Sequence, residues 1–291
     1  MKEKRIGSGR ESTCIYLPSN DQKLTVRYDS ALLQKYYSSK KITKCDTSKL
    51  PEIDEIPFLA SSYADTLVKY NILPCVSFDG ISNLAAKLVY EGAVKVLSLF
   101  PTLSRHINYY GTRIGLFNKL KCLNDEQICQ SLNLTFISEK NRKEVGEFFI
   151  KYIDETFKHY DSGKKATLGL FVTANTFFLN YALINEEMFD TETIRVKKAK
   201  TKNLNYPMIS HTAVHELIHA LDEVYKLSFY NYSVSKKMCE LMGANNINYG
   251  SNTEIYAEFF ADYIAEIICT SNKPEDNELI KLIIQETSAS K

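Results

Sequence analysis

The amino-acid sequence predicts an α+β fold that is mostly helical and contains a small mixed sheet. Apolar residues recur at helical spacing over residues 81–100, 145–157 and 207–224. Residues 167–173 and 177–184 are instead short apolar runs rich in β-forming residues, which indicates two strands joined as a hairpin. With 291 residues, 44% of them hydrophobic, the chain is long enough for one large domain or two small ones.

The predicted elements are arranged unevenly along the chain. Residues 1–75 are expected to form an N-terminal extension or small subdomain, because glycines and prolines interrupt the short patterns there, and residues 76–291 form the main domain. The basic run at residues 195–202 is typical of a solvated loop, although its position before the next helix would also let it line a cleft. Proline and acidic residues at 274–276 open a final helix that ends near residue 284.

The most informative pattern is an H-E-x-x-H motif, formed by His215, Glu216 and His219 within the helix predicted over residues 207–224. Residues four apart lie one turn above each other on the same helix face. His215 and His219 can therefore hold one metal ion, while Glu216 is directed at a water molecule there. Packing histidines in a core are the alternative, and the glutamate between them favours the metal site. An apolar stripe beside this face would be buried, and its members are Val214, Leu217, Leu221 and Val224.

A catalytic zinc ion needs a third protein ligand and an open position for water. Downstream, Glu254, Glu258 and Asp262 recur every four residues in a predicted helix, so their carboxylates share one face. We expect Glu258 to be the third ligand, because the small residues Ala257 and Ala261 beside it would let this helix approach the first one closely. Glu254 is the alternative third ligand.

Two further residues lie one turn away from the predicted ligands. Asp262 follows Glu258 by four residues and is placed to accept the second ring N–H of His215 or His219, which would set the tautomer of that histidine. His211 precedes His215 by four residues. We expect His211 to be a surface residue at the start of the helix. The alternative is that it lies beside the metal or binds the substrate.

Three segments together resemble the glutamate-type zincins, most closely the catalytic domain of anthrax lethal factor, the lethal-factor-like peptidases and zincin-like domains carried by phages of Gram-positive bacteria. They read HELIHALD at residues 215–222, NYGSN at 248–252 and AEFFAD at 257–262. The resemblance implies a zincin-like metallopeptidase domain whose edge strand lines the active-site cleft and pairs with extended substrate. We place this edge at residues 181–185, and a strand inside the sheet is equally open.

The resemblance also implies a role for each matching residue. The residues that hold the zinc ion are His215, His219 and Glu258 as ligands, with Asp262 as a carboxylate behind them. The catalytic residues are Glu216 as general base and Tyr249 as the donor to the oxyanion, with Tyr256 as an open alternative.

The function implied is that of a zinc metalloendopeptidase, a hydrolase that cleaves a selective protein or peptide substrate as a toxin, an effector or a phage-encoded protease. The competing interpretation is a non-catalytic module with the same fold, such as a phage head component or the binding portion of a toxin. The presence of Glu216 argues against the module, because zinc binding requires only the three ligands.

Charge and cysteine content exclude other classes of protein. A net charge of +1, and a basic run without interleaved aromatic residues, favour neither a nucleic-acid partner nor a polybasic membrane anchor. The charged N-terminus does not lead into an apolar segment, so we expect no signal peptide, and no run is long enough to span a membrane. Seven cysteines without a C-x-x-C pair indicate free thiols. We therefore expect a cytoplasmic protein, or one delivered by a non-classical route.

Overall fold

Helices predominate over strands in the part of the chain that the structure describes. The computed structural model describes residues 10–16, 23–29, 44–122, 151, 169–174, 179–184, 196–198, 205–241 and 253–289. The helices are α1 (Ala60–Lys69), α2 (Asn83–Leu99), α3 (Arg113–Cys122), α4 (Met208–Tyr225), α5 (Leu227–Tyr230), α6 (Tyr232–Leu241), α7 (Thr253–Thr270) and α8 (Glu278–Ala289). The strands are β1 (Arg10–Tyr16), β2 (Lys23–Asp29), β3 (Val76–Ser77), β4 (Tyr109–Thr112), β5 (Gly169–Ala174), β6 (Leu179–Ile184), β7 (Val196–Lys198) and β8 (Asn205–Pro207). The α+β class predicted from the sequence is confirmed.

The central sheet contains four of the described strands, in the order β3-β4-β6-β5. Strand β4 runs parallel to both β3 and β6, whereas β5 runs antiparallel to β6 and forms the predicted hairpin with it. The sheet is therefore mixed, and β5 is its outermost described strand on this side.

The prediction that residues 181–185 form the edge of the sheet is wrong. Residues 181–184 belong to β6, which pairs with β4 on one side and β5 on the other, and Asn185 lies outside the described residues. Ala182, Leu183 and Ile184 are fully buried, as expected for an inner strand covered on both faces. Among the described strands, residues 169–174 take the outer position instead.

The basic run is only partly a loop. Val196–Lys198 form β7, which pairs antiparallel with β8, so the loop prediction is wrong for these three residues. The rest of the run lies outside the described residues. Strand β8 ends at Pro207, which is the N-cap residue of α4. Its ψ of 130° is still extended, while its ring holds φ at −61°, already near the helical value.

The H-E-x-x-H helix α4 lies in the middle of the hydrophobic core. Its predicted apolar stripe is confirmed, because Val214, Leu217 and Leu221 are fully buried and Val224 packs against the same core. Helix α2 crosses it closely at Gly92, where an added Cβ would lie 3.3 Å from the carbonyl oxygen of Ser210. This packing fixes the position of α4 relative to α2.

The core continues on both sides of residue 75. Buried residues of the preceding segment pack into the same cluster as α2, α4 and α7, and they include Cys45, Ile56, Tyr63, Leu67 and Leu73. A helix predicted over residues 81–100 corresponds to α2, which starts where Ser82 Oγ accepts the N–H of Ala85. The helix predicted over residues 145–157 lies outside the described residues, apart from residue 151.

The final helix begins later and ends later than predicted. Pro274–Asp276 form a short 3-10 turn, and α8 starts at Glu278 because the side chain of Asn277 accepts the N–H groups of Leu279 and Ile280. Among the described residues, Cys45, Cys75, Cys239 and Cys269 are free thiols, and none of the described helices has the length and apolar character needed to cross a membrane.

Candidate metal centre

Helix α4 brings the two motif histidines together at its cleft face. The rings of His215 and His219 meet edge to face with centroids 4.5 Å apart, and their Nε2 atoms are separated by 2.9 Å. This spacing follows from the helix, because side chains four residues apart point in the same direction. Two nitrogen lone pairs at this distance repel each other unless a proton or a cation lies between them.

Helix α7 adds a carboxylate to the pair. Glu258 places one oxygen 3.4 Å from Nε2 of His215 and the other 3.1 Å from Nε2 of His219. The side chain of Glu254 lies outside the described residues. The helix face that the sequence predicts to carry the third ligand therefore places Glu258 next to both histidines.

These three side chains could hold a metal ion such as zinc. In a tetrahedral site with zinc–nitrogen and zinc–oxygen distances of about 2.0–2.2 Å, donor atoms lie about 3.3–3.6 Å apart. The observed separations of 2.9, 3.1 and 3.4 Å are close to this range. Two imidazoles and one carboxylate also form the donor set of known catalytic zinc sites. The Glu258 side chain is 60% exposed, so the centre opens toward solvent on that side.

Asp262 lies behind His215, on the side opposite the proposed metal. Its Oδ1 is 3.2 Å from Nδ1 of His215, which leaves Nε2 of the same ring directed at His219 and Glu258. A carboxylate in this position favours the tautomer with the proton on Nδ1 and increases the basicity of Nε2. Of the two histidines considered in the sequence, it is His215 that meets Asp262.

Electrostatics in the centre favour a cation. Burial lowers the pKa of His215, but hydrogen bonds to Asp262 and Glu258 and the nearby charge of Glu216 raise it overall to about 10. Hydrogen bonds from His215 and His219 hold the pKa of Glu258 well below its usual range. In the metal-free protein, a proton on His215 thus supplies the positive charge that these carboxylates require.

Zinc binding is therefore expected to release a proton. Zinc takes Nε2 only from a neutral imidazole, so below the raised pKa of about 10 the ion displaces about one proton from His215. The apparent zinc affinity should increase roughly tenfold per pH unit between pH ~7 and ~9. Calorimetric titration in two buffers of different ionisation enthalpy measures the proton count. Equal binding heats in both buffers would contradict this expectation.

Asp262→Ala is expected to weaken zinc binding by roughly 10- to 100-fold, the range observed when a carboxylate behind a ligand histidine is lost. The fold should persist, because the Asp262 side chain is 45% exposed. A chelator competition measures the affinity, and circular dichroism checks the helices. Asp276→Ala, which removes an acidic side chain between α7 and α8, is the matched control, and equal affinities of the two variants would disprove the role of Asp262.

Glu216 lies beside the outer strand of the sheet. The residue is 5% exposed, and Gly169 at the start of β5 approaches it so closely that an added Cβ would lie 2.7 Å from Oε1 and 2.8 Å from Cγ of Glu216. The same Cβ would lie 2.8 Å from a methyl group of Thr212. The absence of a side chain at position 169 thus leaves the space that Glu216 occupies. Sequence reasoning did not single out Gly169, because the contact joins distant segments.

Of the two tyrosines predicted as oxyanion donors, the structure describes only Tyr256. Tyr256 is buried on the side of α7 that faces α6, and its hydroxyl lies 3.5 Å from Oγ of Ser235. This burial raises the pKa of the Tyr256 hydroxyl. Its side chain is therefore directed into the core rather than toward Glu258. Tyr249 lies outside the described residues.

One other expectation about this region is wrong. His211 is not a surface residue, since it is only 5% exposed. Ala261 is fully buried, whereas Ala257 lines an open cavity of about 330 Å³. The described lining of this cavity is Asp222, Glu223, Lys226, Ser228, Phe229, Tyr230 and Ala257.

No family model, curated protein or solved structure matches this chain. The function of the chain is therefore inferred from its residues and their geometry.

Proposed function

We propose that this protein is a zinc-dependent endopeptidase with a zincin-like fold. The observation that carries the proposal is the convergence of His215, His219 and Glu258 on one point, with Glu216 on the same helix as the two histidines. A histidine pair packed only for stability would need neither the third converging donor nor the acidic residue between them.

The chain's own residues account for the proton transfers of peptide hydrolysis. A zinc ion held by His215, His219 and Glu258 would supply the Lewis acidity that makes a water molecule nucleophilic near neutral pH. Glu216 accepts a proton from the attacking water on a carboxylate oxygen. As the carbon–nitrogen bond breaks, Glu216 donates that proton to the leaving amine. A tyrosine hydroxyl, with Tyr249 as the first choice, donates to the oxyanion.

The outer strand β5 is the proposed docking site for an extended substrate. A peptide that adds to a sheet edge gains main-chain hydrogen bonds whatever its sequence, so selectivity must come from side-chain pockets. Strand β5 passes next to Glu216 at Gly169, which would bring the scissile bond close to the base. The resemblance to lethal-factor-like peptidases supports a selective protease that acts as a toxin, an effector or a phage-encoded enzyme.

Gly169→Ala is expected to reduce hydrolysis by roughly 10- to 100-fold while the zinc content stays at one ion per chain, because displacement of a catalytic group by about 1 Å has costs of this size. The new methyl group would overlap the carboxylate of Glu216, and its three nearest atoms belong to Glu216 and Thr212, neither of which is a proposed zinc ligand. Steady-state kinetics and elemental analysis measure the two quantities.

Gly92→Ala is the matched control for this substitution. It adds a methyl group against the other side of α4, where the nearest atom is the carbonyl oxygen of Ser210 at 3.3 Å. If both variants lose activity in proportion to a loss of stability, the effect is one of packing, and the proposed placement of Glu216 is incorrect.

The alternative is a zinc-binding module of the same fold without turnover. It predicts one zinc ion per chain and no cleavage of any peptide in a diverse library. The peptidase predicts cleavage that phenanthroline stops and added zinc restores. The acidic residue between the two histidines favours the peptidase, because zinc binding alone requires only the three ligands.

A further inference from the structure

His211 is buried at the back of the metal centre, although it is not one of the proposed ligands. It lies one turn before His215 on α4, and its side chain is 6% exposed. Its Nε2 atom is 3.6 Å from Oδ1 of Asp262, and the same oxygen is 3.2 Å from Nδ1 of His215. One carboxylate oxygen is thus shared between two imidazoles.

The ring of His211 is fixed by its neighbours. It stacks on the ring of Tyr206 in β8, with centroids 5.5 Å apart and an angle of 30° between the planes. On its other side it is 6.0 Å from the ring of His215. Since Tyr206 is itself buried, the imidazole of His211 has little freedom to turn away from Asp262.

A fixed neighbour restricts the side chain of Asp262. This side chain is 45% exposed, and its rotation toward water would release Nδ1 of His215. An imidazole at ion-pair distance favours the rotamer in which the carboxylate stays between the two rings. This arrangement would also direct Nε2 of His215 at the proposed metal.

We propose that His211 is a positioning residue that acts through Asp262. It holds the carboxylate against His215 and thereby orients the first zinc ligand, an inference that rests on the proposed zinc site. His211 does not contact the metal or the substrate in this account. Its contribution should therefore disappear when Asp262 is absent.

A double-mutant cycle on zinc affinity tests this dependence. His211→Ala should weaken zinc binding by about 3- to 10-fold, less than Asp262→Ala, because its effect is indirect. In the Asp262→Ala background the same substitution should change the affinity by less than about twofold. His211→Gln keeps an N–H donor and should recover most of the affinity. His106→Ala removes an imidazole far along the chain and should have no effect.

Two results would overturn the proposal. One is an unchanged zinc affinity in His211→Ala, and the other is an equal loss in the presence and absence of Asp262, which would indicate a general packing effect. Nitrogen-15 NMR of the metal-free protein separates this inference from the zinc proposal. The Nδ1 proton of His215 should exchange faster in His211→Ala than in the wild type. An unchanged exchange rate would refute the role of His211 even in a protein that binds no zinc.

Discussion

Replacing any one of His215, His219 or Glu258 with alanine is expected to abolish stoichiometric zinc binding, which should be about one ion per chain in the wild type. The three donors converge within 4.8 Å of one another. Removal of any one of them leaves two protein ligands, whereas a catalytic zinc site uses three. Elemental analysis after dialysis against a weak chelator measures the loss directly.

Glu254→Ala is the matched control for the third ligand. It removes a carboxylate from the same helix, one turn before Glu258, and should leave zinc stoichiometry unchanged. If Glu258→Ala retains the metal and Glu254→Ala loses it, then Glu254 is the ligand. In that case the short distances between Glu258 and the histidines would describe only the metal-free protein.

Glu216→Gln is expected to retain zinc and to lose hydrolysis by roughly 10²- to 10⁴-fold, the usual contribution of a general base. Glutamine keeps the size of the side chain, so it should fit the space beside Gly169, but it cannot accept the proton of the attacking water. Progress curves on a cleaved peptide, together with zinc content, measure both parts. Comparable rates for this variant and the wild type would show that Glu216 is not the base.

Local periodicity accounts for what could be predicted about the site. The placement of His215 and His219 on one face of α4 follows from helix geometry alone. The i, i+4 spacing of Glu258 and Asp262 likewise places both on one face of α7. Each of these relations lies within a single element, so no knowledge of the tertiary structure is needed.

Relations between distant segments could not be predicted in the same way. Residues 169–174 and 179–184 are both apolar, so the sequence does not distinguish the outer strand from the inner one, and the structure assigns the inner position to β6. The burial of His211 depends on Tyr206 and Asp262, which come from β8 and α7. The closeness of Gly169 to Glu216 likewise arises only when the sheet packs on α4.

The most direct test of the proposed peptidase is a comparison of new N-termini in complex protein mixtures. Zinc-loaded wild type and Glu216→Gln would each be incubated with bacterial and animal cell lysates and with a diverse peptide library, and the N-termini formed would be identified by mass spectrometry. We predict a small set of cleavage sites that form only with the wild type, disappear with phenanthroline and return with added zinc. Identical N-termini from the zinc-loaded wild type and from Glu216→Gln in every mixture would contradict the account and favour a non-catalytic module.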